Sequence, residues 1–277
     1  MPSITVATQD GQDVVLHHTD EGSGPPVVLI HGWPLSGASW SNQVPALVAA
    51  GHRVVTYDRR GFGESSQPAT GYDYDTFAAD LDVLLTQLDL RDVALVGFSM
   101  GGGEVVRYLS RYGSGRVSKA VLASSVPPYL YKSDDNPEGG LDDATIEQFE
   151  QGVVQDRAGF LEEFTTTFFS AGDDLKVSEE VRQDAIRAAL QASPEATLRC
   201  IAAFGKTDFR TDVAAVTVPT LVIHGDSDGV VPFGVSGKRS AASIAGARLV
   251  VITQGPHGIN ASHIEEFNAA LIGFLAD

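Results

Sequence analysis

Leu95-Val96-Gly97-Phe98-Ser99-Met100-Gly101 carries the strongest structural signal in this chain. A short apolar run, residues 93–96, leads into the pattern Gly-x-Ser-x-Gly, and a segment with helical character, residues 104–112, follows it. This order of strand, sharp turn and helix is typical of a turn that presents a serine hydroxyl as a nucleophile at the edge of a sheet. We expect glycine at positions 97 and 101 because a Cβ at either position would collide across the turn. The chain has 29 glycines, so an ordinary tight turn is the alternative, and the surrounding pattern has to support the motif.

Short apolar runs rich in β-branched residues recur along the chain, and segments with helical periodicity separate most of them. Such runs suit strands that are buried on both faces of a parallel sheet. The alternation predicts an α/β fold with right-handed crossovers, in which helices flank a mostly parallel eight-stranded sheet. The predicted strands are residues 27–30, 53–57, 93–96, 119–123, 220–224 and 248–252, with an antiparallel edge hairpin at 4–6 and 14–18. The predicted helices around them are residues 43–50, 74–88, 104–112, 234–245 and 263–275.

The strand spacing breaks between residues 123 and 220, where helical patterns replace a strand. We therefore expect residues 1–125 and 211–277 to form the α/β core, and residues 126–210 to form a helical cap inserted into it. The cap segment holds 17 acidic and 8 basic residues, a balance of −9 out of the net −17. Its helical patterns lie at residues 145–150, 160–169, 179–190 and 194–204. Its phenylalanines either pack the cap onto the sheet or line an acyl or aryl pocket; they are Phe149, Phe160, Phe164, Phe168 and Phe169.

Charge and composition exclude several partners. A net charge of −17 argues against nucleic acid and against anionic membrane surfaces. No apolar run reaches membrane-spanning length, and residues 1–12 show no secretory signal pattern. Cys200 is the only cysteine, so no intrachain disulfide can form, and a cytoplasmic setting is expected. Cys200 lies in a helical pattern, and we expect a small buried side chain there rather than a nucleophile.

A serine nucleophile needs a base and an acid that orients the base. His257 is the candidate base because it sits in a Gly/Pro loop directly after the last predicted strand, whereas His224 ends a strand and is expected to pack. Asp226 and Asp228 compete for the role of the acid. Asp226 is closer to the strand end and could serve a turn through its side chain, whereas Asp228 lies further out, where it can reach the far nitrogen of His257. We favour Asp228, with turn formation by both carboxylates as the alternative; the chain order of serine, acid and histidine supports this choice.

Backbone N–H groups are expected to stabilise the oxyanion that forms when the serine attacks. One belongs to Met100, the residue after the nucleophile, and the other to Trp33 in the loop that follows the strand at 27–30. Pro34 cannot donate because it has no N–H. It also restricts the backbone of the preceding residue, so we expect it to set where the Trp33 carbonyl points.

Taken together, these residues resemble the α/β-hydrolase superfamily and, within it, the cofactor-free bacterial haloperoxidases, also described as perhydrolases or aryl esterases. The resemblance implies the α/β-hydrolase fold, Ser99, Asp228 and His257 as the catalytic triad, and the Trp33 and Met100 amides as oxyanion donors. It runs over nearly the whole chain, and residues 57–78 are specific to this branch. The matching segments are residues 31–34, 57–65, 71–78, 97–103, 207–210, 224–228 and 256–258.

The resemblance also implies two linked activities. One is ester hydrolysis through an acyl-serine; in the other, hydrogen peroxide intercepts the acyl-enzyme and gives a peracid, which then oxidises halide away from the enzyme. No cofactor is implied, and no metal-binding motif is legible in the sequence. The expected partners are a small-molecule ester or carboxylic acid and hydrogen peroxide, with a symmetric homo-oligomer as a further expectation. The expected substrate contacts are Trp33, Pro34, Met100, Phe164, Phe168, Val231 and Ile259.

Three other functions compete with this interpretation. Branches of the superfamily with an aspartate nucleophile are excluded because the turn carries Ser99. A lactonase, an amidase or a carbon–carbon bond hydrolase would use the same triad. A non-catalytic binding protein of the same fold would be indicated by the loss of a triad member, and none is lost here.

Overall fold

A computed structural model describes residues 2–277 and arranges eight strands in one mostly parallel sheet, as the sequence predicts. The strands in chain order are β1 (Ser3–Gln9), β2 (Gln12–Gly22), β3 (Pro26–Ile30), β4 (Arg53–Tyr57), β5 (Val93–Phe98), β6 (Val117–Ala123), β7 (Ser170–Ala171), β8 (Asp174–Leu175), β9 (Thr220–Gly225) and β10 (Arg248–Ile252). The sheet has the spatial order β1-β2-β4-β3-β5-β6-β9-β10, whereas β7 and β8 pair only with each other. The predicted edge hairpin is confirmed: β1 pairs with β2, and β2 with β4, in antiparallel fashion.

The central strands are buried because their apolar side chains face helices on both sides of the sheet. Every residue of β5 and of β9 is buried. The helices are α1 (Val44–Ala49), α2 (Tyr74–Gln87), α3 (Met100–Tyr112), α4 (Asp143–Phe169), α5 (Glu179–Gln191), α6 (Pro194–Lys206), α7 (Arg210–Ala214), α8 (Gly237–Ser243), α9 (Ile259–Ser262) and α10 (Ile264–Ala276), with a 3₁₀ turn at Gly37–Trp40. Near-continuous apolar strands of this kind are typical of parallel sheets covered on both faces.

The parallel strands β3, β5, β6, β9 and β10 all run in the same direction. Their carboxyl ends therefore meet at one edge of the sheet, and the loops that follow them converge there. In open α/β sheets this edge is where ligands bind. The fold thus brings the loops that carry Ser99, Asp228 and His257 to a common edge.

The segment between β6 and β9 is mainly helical, and the gap that the sequence leaves between two of its predicted helices is itself helical except at one residue. The expected helices at 145–150 and 160–169 are the two halves of α4, which breaks at Asp156, a residue with non-helical backbone angles (φ −151°, ψ 81°). The Asp156 carboxylate accepts a hydrogen bond from the Gly159 amide at 3.0 Å, which caps the second half as an N-cap residue does. The short β7–β8 pair was also not predicted, because each strand has only two residues.

Candidate active site

Ser99 occupies a strained turn between β5 and α3. Its backbone has φ 53° and ψ −118°, an unusual conformation for a residue other than glycine. A Cβ at position 97 would lie 2.4 Å from the Gly101 carbonyl oxygen, which explains the glycine there. A Cβ at position 101 would instead lie 2.4 Å from the Ile30 carbonyl oxygen. The reason for the second glycine therefore differs from the expected one: Gly101 allows β3 to approach closely, rather than clearing the turn itself.

Ser99, His257 and Asp228 form one chain of hydrogen bonds. The Ser99 Oγ lies 2.9 Å from His257 Nε2, and His257 Nδ1 lies 2.7 Å from Asp228 Oδ2. A carboxylate can only accept, so His257 Nδ1 carries the proton and Nε2 is free to accept from the serine hydroxyl. All three residues are buried. This is the geometry that a nucleophile, a base and an orienting acid require.

The two competing carboxylates have different partners. Asp228 Oδ1 accepts from the amides of Val230 at 2.9 Å and Val231 at 2.7 Å, while Oδ2 faces His257. Burial alone would raise the pKa of the Asp228 carboxyl, but attraction to His257 and hydrogen bonds from the surrounding histidines outweigh it and hold the pKa well below its usual range. Asp226 is exposed and accepts from the Gln254 amide at 2.7 Å, so it ties two loops together.

The imidazole of His257 is held between two aromatic rings. The ring centroid of Phe98 lies 5.1 Å from that of His257, and the ring of Phe168 approaches edge-on at 4.8 Å. The Gly258 amide also donates to the Phe168 carbonyl at 2.9 Å. Sequence reasoning missed Phe98 because it occupies a variable position of Gly-x-Ser-x-Gly, which motif analysis passes over.

The loop that follows β3 lies directly against Ser99. A Cβ on Gly32 would be 2.9 Å from the Ser99 Cβ, so only glycine permits this approach. Within residues 2–277, the amides of Trp33 and Met100 donate to no protein acceptor. Met100 is the first residue of α3, where N–H groups point out of the helix toward the serine. Both predicted donors are therefore free to bind an oxyanion.

The buried side chain of His31 holds this loop in place through two hydrogen bonds. The Arg59 amide donates to His31 Nε2 at 3.0 Å, so His31 Nδ1 carries the proton and donates to the Gly32 carbonyl at 2.8 Å. Burial, together with the positive charge of Arg59, holds the pKa of His31 well below its usual value. His31 therefore stays neutral and fixes the loop that carries the Trp33 amide.

A cavity of about 20 Å³ lies at Ser99, enough for one or two water-sized groups. Apart from Ser99, the residues that line it are apolar: Trp33, Val126, Leu130, Leu141, Phe149, Phe164, Phe204, Val230 and Val231. An outer cavity of about 600 Å³ shares four of these residues, Leu141, Phe149, Phe164 and Val230, and is lined further by both halves of α4. The site therefore consists of a tight apolar pocket beside the serine and a wider vestibule outside it.

Only some of the predicted substrate contacts lie on the inner cavity. Trp33, Phe164 and Val231 line it, whereas Pro34, Met100, Phe168 and Ile259 do not. The side chains of Met100 and Ile259 are fully buried in the core, Pro34 is buried, and Phe168 packs on His257. Sequence reasoning missed Val126, Leu130, Leu141, Phe204 and Val230 as lining residues, because no motif marks apolar residues from distant segments.

Trp33 connects the loop after β3 to the inserted helices. Its indole Nε1 donates to the Thr197 carbonyl of α6 at 3.0 Å. Its ring packs at centroid distances of 5.1 Å against Phe164 and 5.3 Å against Phe204. The phenylalanines of the helical segment thus do both things that the sequence left open, because they pack against the core and line the cavity.

Cys200 does not line the inner cavity, and the described residues form no metal-binding cluster. Cys200 is fully buried, as expected, and burial raises the pKa of its thiol to about 12. Across residues 2–277, no group of three or more His, Cys, Asp or Glu side chains is arranged to hold a metal ion. In the same part of the chain, no helix is both long and apolar enough to span a membrane.

Comparisons with known proteins agree with this architecture. Residues 25–263 match the family described as alpha/beta hydrolase fold. The crystal structure of a bromoperoxidase from Bacillus anthracis has a TM-score of 0.97 and 57% identity, covering 100% of this chain and 99% of that chain. The non-heme chloroperoxidase of Kitasatospora aureofaciens is 45% identical, covering 99% of both sequences. A bifunctional esterase/perhydrolase of Acinetobacter calcoaceticus is 35% identical, covering 98% of both.

Proposed function

The chain belongs to the alpha/beta hydrolase fold family, with non-heme haloperoxidases among its relatives, and on that premise we propose that it is a serine esterase and perhydrolase. Its substrates are small carboxylic esters, and hydrogen peroxide competes with water for the acyl group. The observation that carries the proposal is the hydrogen-bonded chain from Ser99 through His257 to Asp228, placed beside a small apolar cavity.

In the first half-reaction, Ser99 Oγ attacks the ester carbonyl while His257 Nε2 takes its proton. The carbonyl oxygen becomes an oxyanion, which the amides of Trp33 and Met100 stabilise. Asp228 stabilises the imidazolium that forms on His257. The imidazolium then protonates the leaving alcohol, the ester bond breaks, and the acyl group remains on Ser99.

In the second half-reaction, water or hydrogen peroxide attacks the acyl carbon and gives its proton to His257. The bond to Ser99 Oγ then breaks, and His257 returns the proton to that oxygen. Water yields the carboxylic acid and hydrogen peroxide yields the peracid. The peracid oxidises halide away from the protein, where it becomes the carboxylic acid again as the halide becomes hypohalous acid.

The cavities support short acyl groups and neutral substrates. A space of about 20 Å³ beside Ser99 suits an acyl group no larger than acetyl, and the vestibule of about 600 Å³ accommodates a larger alcohol. Neither cavity is lined by a lysine or an arginine. A carbon–carbon bond hydrolase for carboxylated ring-cleavage products would need such a cation, so the ester is the better supported substrate.

We also propose that the chain consists of an α/β core and an inserted helical cap. Residues 126–210 act as the cap that shapes the pocket over the core formed by residues 1–125 and 211–277, which the contacts of Trp33 with α4 and α6 support. A cytoplasmic setting and a homo-oligomer remain predictions.

The test is covalent labelling with a fluorophosphonate ester, followed by intact mass and peptide mapping. We expect one adduct per chain on Ser99 and loss of turnover of an aryl acetate. The Ser99→Ala variant should fold, resist labelling and lose activity by a factor of about 10⁶. Turnover near the wild-type rate in a folded Ser99→Ala variant would contradict the proposal.

A further inference from the structure

His224 is a fully buried histidine that the proposed reaction does not use. It lies in β9, and the sequence predicts only that it packs. Its Nε2 lies 2.8 Å from the Val231 carbonyl oxygen and 3.2 Å from Asp228 Oδ2. Asp228 Oδ2 is the same oxygen that binds His257 Nδ1 at 2.7 Å. Two histidines therefore converge on one carboxylate oxygen.

The contacts select one tautomer of His224. Both neighbours of Nε2 are acceptors, since a carbonyl oxygen cannot donate and Asp228 is ionised, so Nε2 carries a proton that the two share. Within residues 2–277 the buried Nδ1 has no hydrogen-bond partner. A Cβ on Gly237 would lie 2.5 Å from Nδ1, so glycine at the start of α8 leaves room for the ring. The neutral tautomer with Nε2–H avoids burying a second N–H without an acceptor.

We propose that His224 is a positioning residue for the reaction, whose Nε2–H holds the Asp228 carboxylate in line with His257 and fixes the loop from Asp228 to Val231. The inference rests on the proposed function, because it concerns the acid of the same triad. Asp228 Oδ1 is already occupied by the amides of Val230 and Val231. With His224 on Oδ2, the carboxylate is hydrogen-bonded from both sides and cannot rotate away from His257.

The shared oxygen has a second consequence. A hydrogen bond from His224 draws negative charge from Oδ2, so His257 Nδ1–H meets a weaker acceptor than it would if it bound Oδ2 alone. Removing the His224 donor should therefore misplace Asp228 and, at the same time, favour the protonated form of His257. Asp228 is the titratable group that faces His224, with His257 beyond it. Gly237, Phe233 and the Val231 carbonyl also lie against the His224 ring.

The test compares His224→Gln with His224→Asn. The longer glutamine amide can place its nitrogen near the position of the histidine Nε2 and donate to Asp228, whereas the asparagine amide is too short. We expect His224→Asn to lower kcat for an aryl acetate by about ten- to hundredfold with little change in KM, since a hydrogen bond to a charged group is lost. The acid limb of its kcat/KM profile should move to higher pH. His224→Gln should recover most of both properties.

Two measurements separate this inference from the proposed function. His18→Asn removes another buried histidine, on β2, which β4 and β3 separate from the strand that leads into Ser99, and it should leave kcat and the pH profile unchanged. The NMR resonance of the His257 Nδ1 proton should move in His224→Asn and stay near its wild-type position in His224→Gln, whether or not the ester is the true substrate. Equal behaviour of the two His224 variants in kcat, pH profile and proton resonance would overturn the inference. Failure of the proposed function would show instead in the Ser99→Ala variant.

Discussion

The strand ends and the inserted helices hold their site residues in different ways. At the strand ends, Ser99, His257 and Asp228 are buried and joined by hydrogen bonds of 2.7–2.9 Å. In residues 126–210, the side chains that line the inner cavity are apolar. Two of them, Phe149 and Phe164, pack ring against ring on the helix that breaks at Asp156. Directional bonds fix the reacting atoms, whereas packing only bounds the space. Changes at the strand ends should therefore alter kcat, and changes in the helices should alter substrate choice.

Within this comparison, we expect the largest loss of kcat from a substitution of the triad acid, Asp228. Asp228→Asn keeps the volume of the side chain, but it loses the charge that stabilises the imidazolium and favours the wrong tautomer of His257. We expect kcat to fall by about 10⁴. Steady-state hydrolysis of an aryl acetate measures this loss. The matched control is Asp226→Asn, whose oxygen can still accept from the Gln254 amide, so kcat should stay within about threefold. Reversal of the two results would assign the acid to Asp226.

A substitution on α4 should change selectivity more than rate. Phe164→Leu enlarges the inner cavity, so the ratio of kcat/KM for butyryl over acetyl esters of one phenol should rise by about tenfold, since added methylenes in a pocket are worth that much. The rate with the acetyl ester should fall only a few-fold. Phe160→Leu is the control, because Phe160 lines the outer cavity but not the inner one. A tenfold or larger loss of acetyl turnover in Phe164→Leu would show that the helices position the reacting atoms as well.

We expect the smallest change in kcat from a substitution of Trp33, which joins the loop after β3 to the inserted helices. Trp33→Phe removes the hydrogen bond from the indole to the Thr197 carbonyl and keeps the backbone amide of the loop. The smaller ring also loses part of its packing against Phe164 and Phe204, so we expect the free energy of unfolding to fall by about 2 kcal/mol and kcat to change less than threefold. Thermal denaturation and aryl acetate kinetics on the same sample test both expectations. A loss of kcat without loss of stability would mean that the indole itself takes part in catalysis.

The sequence predicts the strand-end half of this site far better than the other half. Buried strands and Gly-x-Ser-x-Gly leave local signatures, and parallel strands must bring their carboxyl ends together. The sequence therefore indicates Ser99 and His257 directly, whereas it favours Asp228 over Asp226 without excluding the latter. The inserted helices carry no such constraint. Phe164 and Phe168 are one helical turn apart with ring centroids separated by 5.8 Å, yet one lines the cavity and the other packs on His257. Periodicity shows that both are buried but not what each one faces.

His224 is a second residue whose role the sequence does not reveal. A histidine in a buried strand looks structural in the sequence, because its effect depends on a loop that folds back over it four residues later. This contact forms only when the chain is packed, and no local pattern encodes it. Asp156 differs, because its bond to the Gly159 amide is local, and the sequence analysis already leaves residues 151–159 between two predicted helices.

If hydrolysis and perhydrolysis share one acyl-Ser99 intermediate, the partitioning of the acyl group between the two products reveals it. Two acetate esters with different alcohols are turned over at several fixed concentrations of hydrogen peroxide, and peracetic and acetic acid are measured. A common acyl-enzyme predicts that the peracid-to-acid ratio rises in proportion to peroxide and is identical for both esters, because the alcohol has left before the acyl group is captured. A ratio that depends on the alcohol, or peracid formation by Ser99→Ala at the wild-type rate, would show that the two reactions do not share an acyl-Ser99 intermediate.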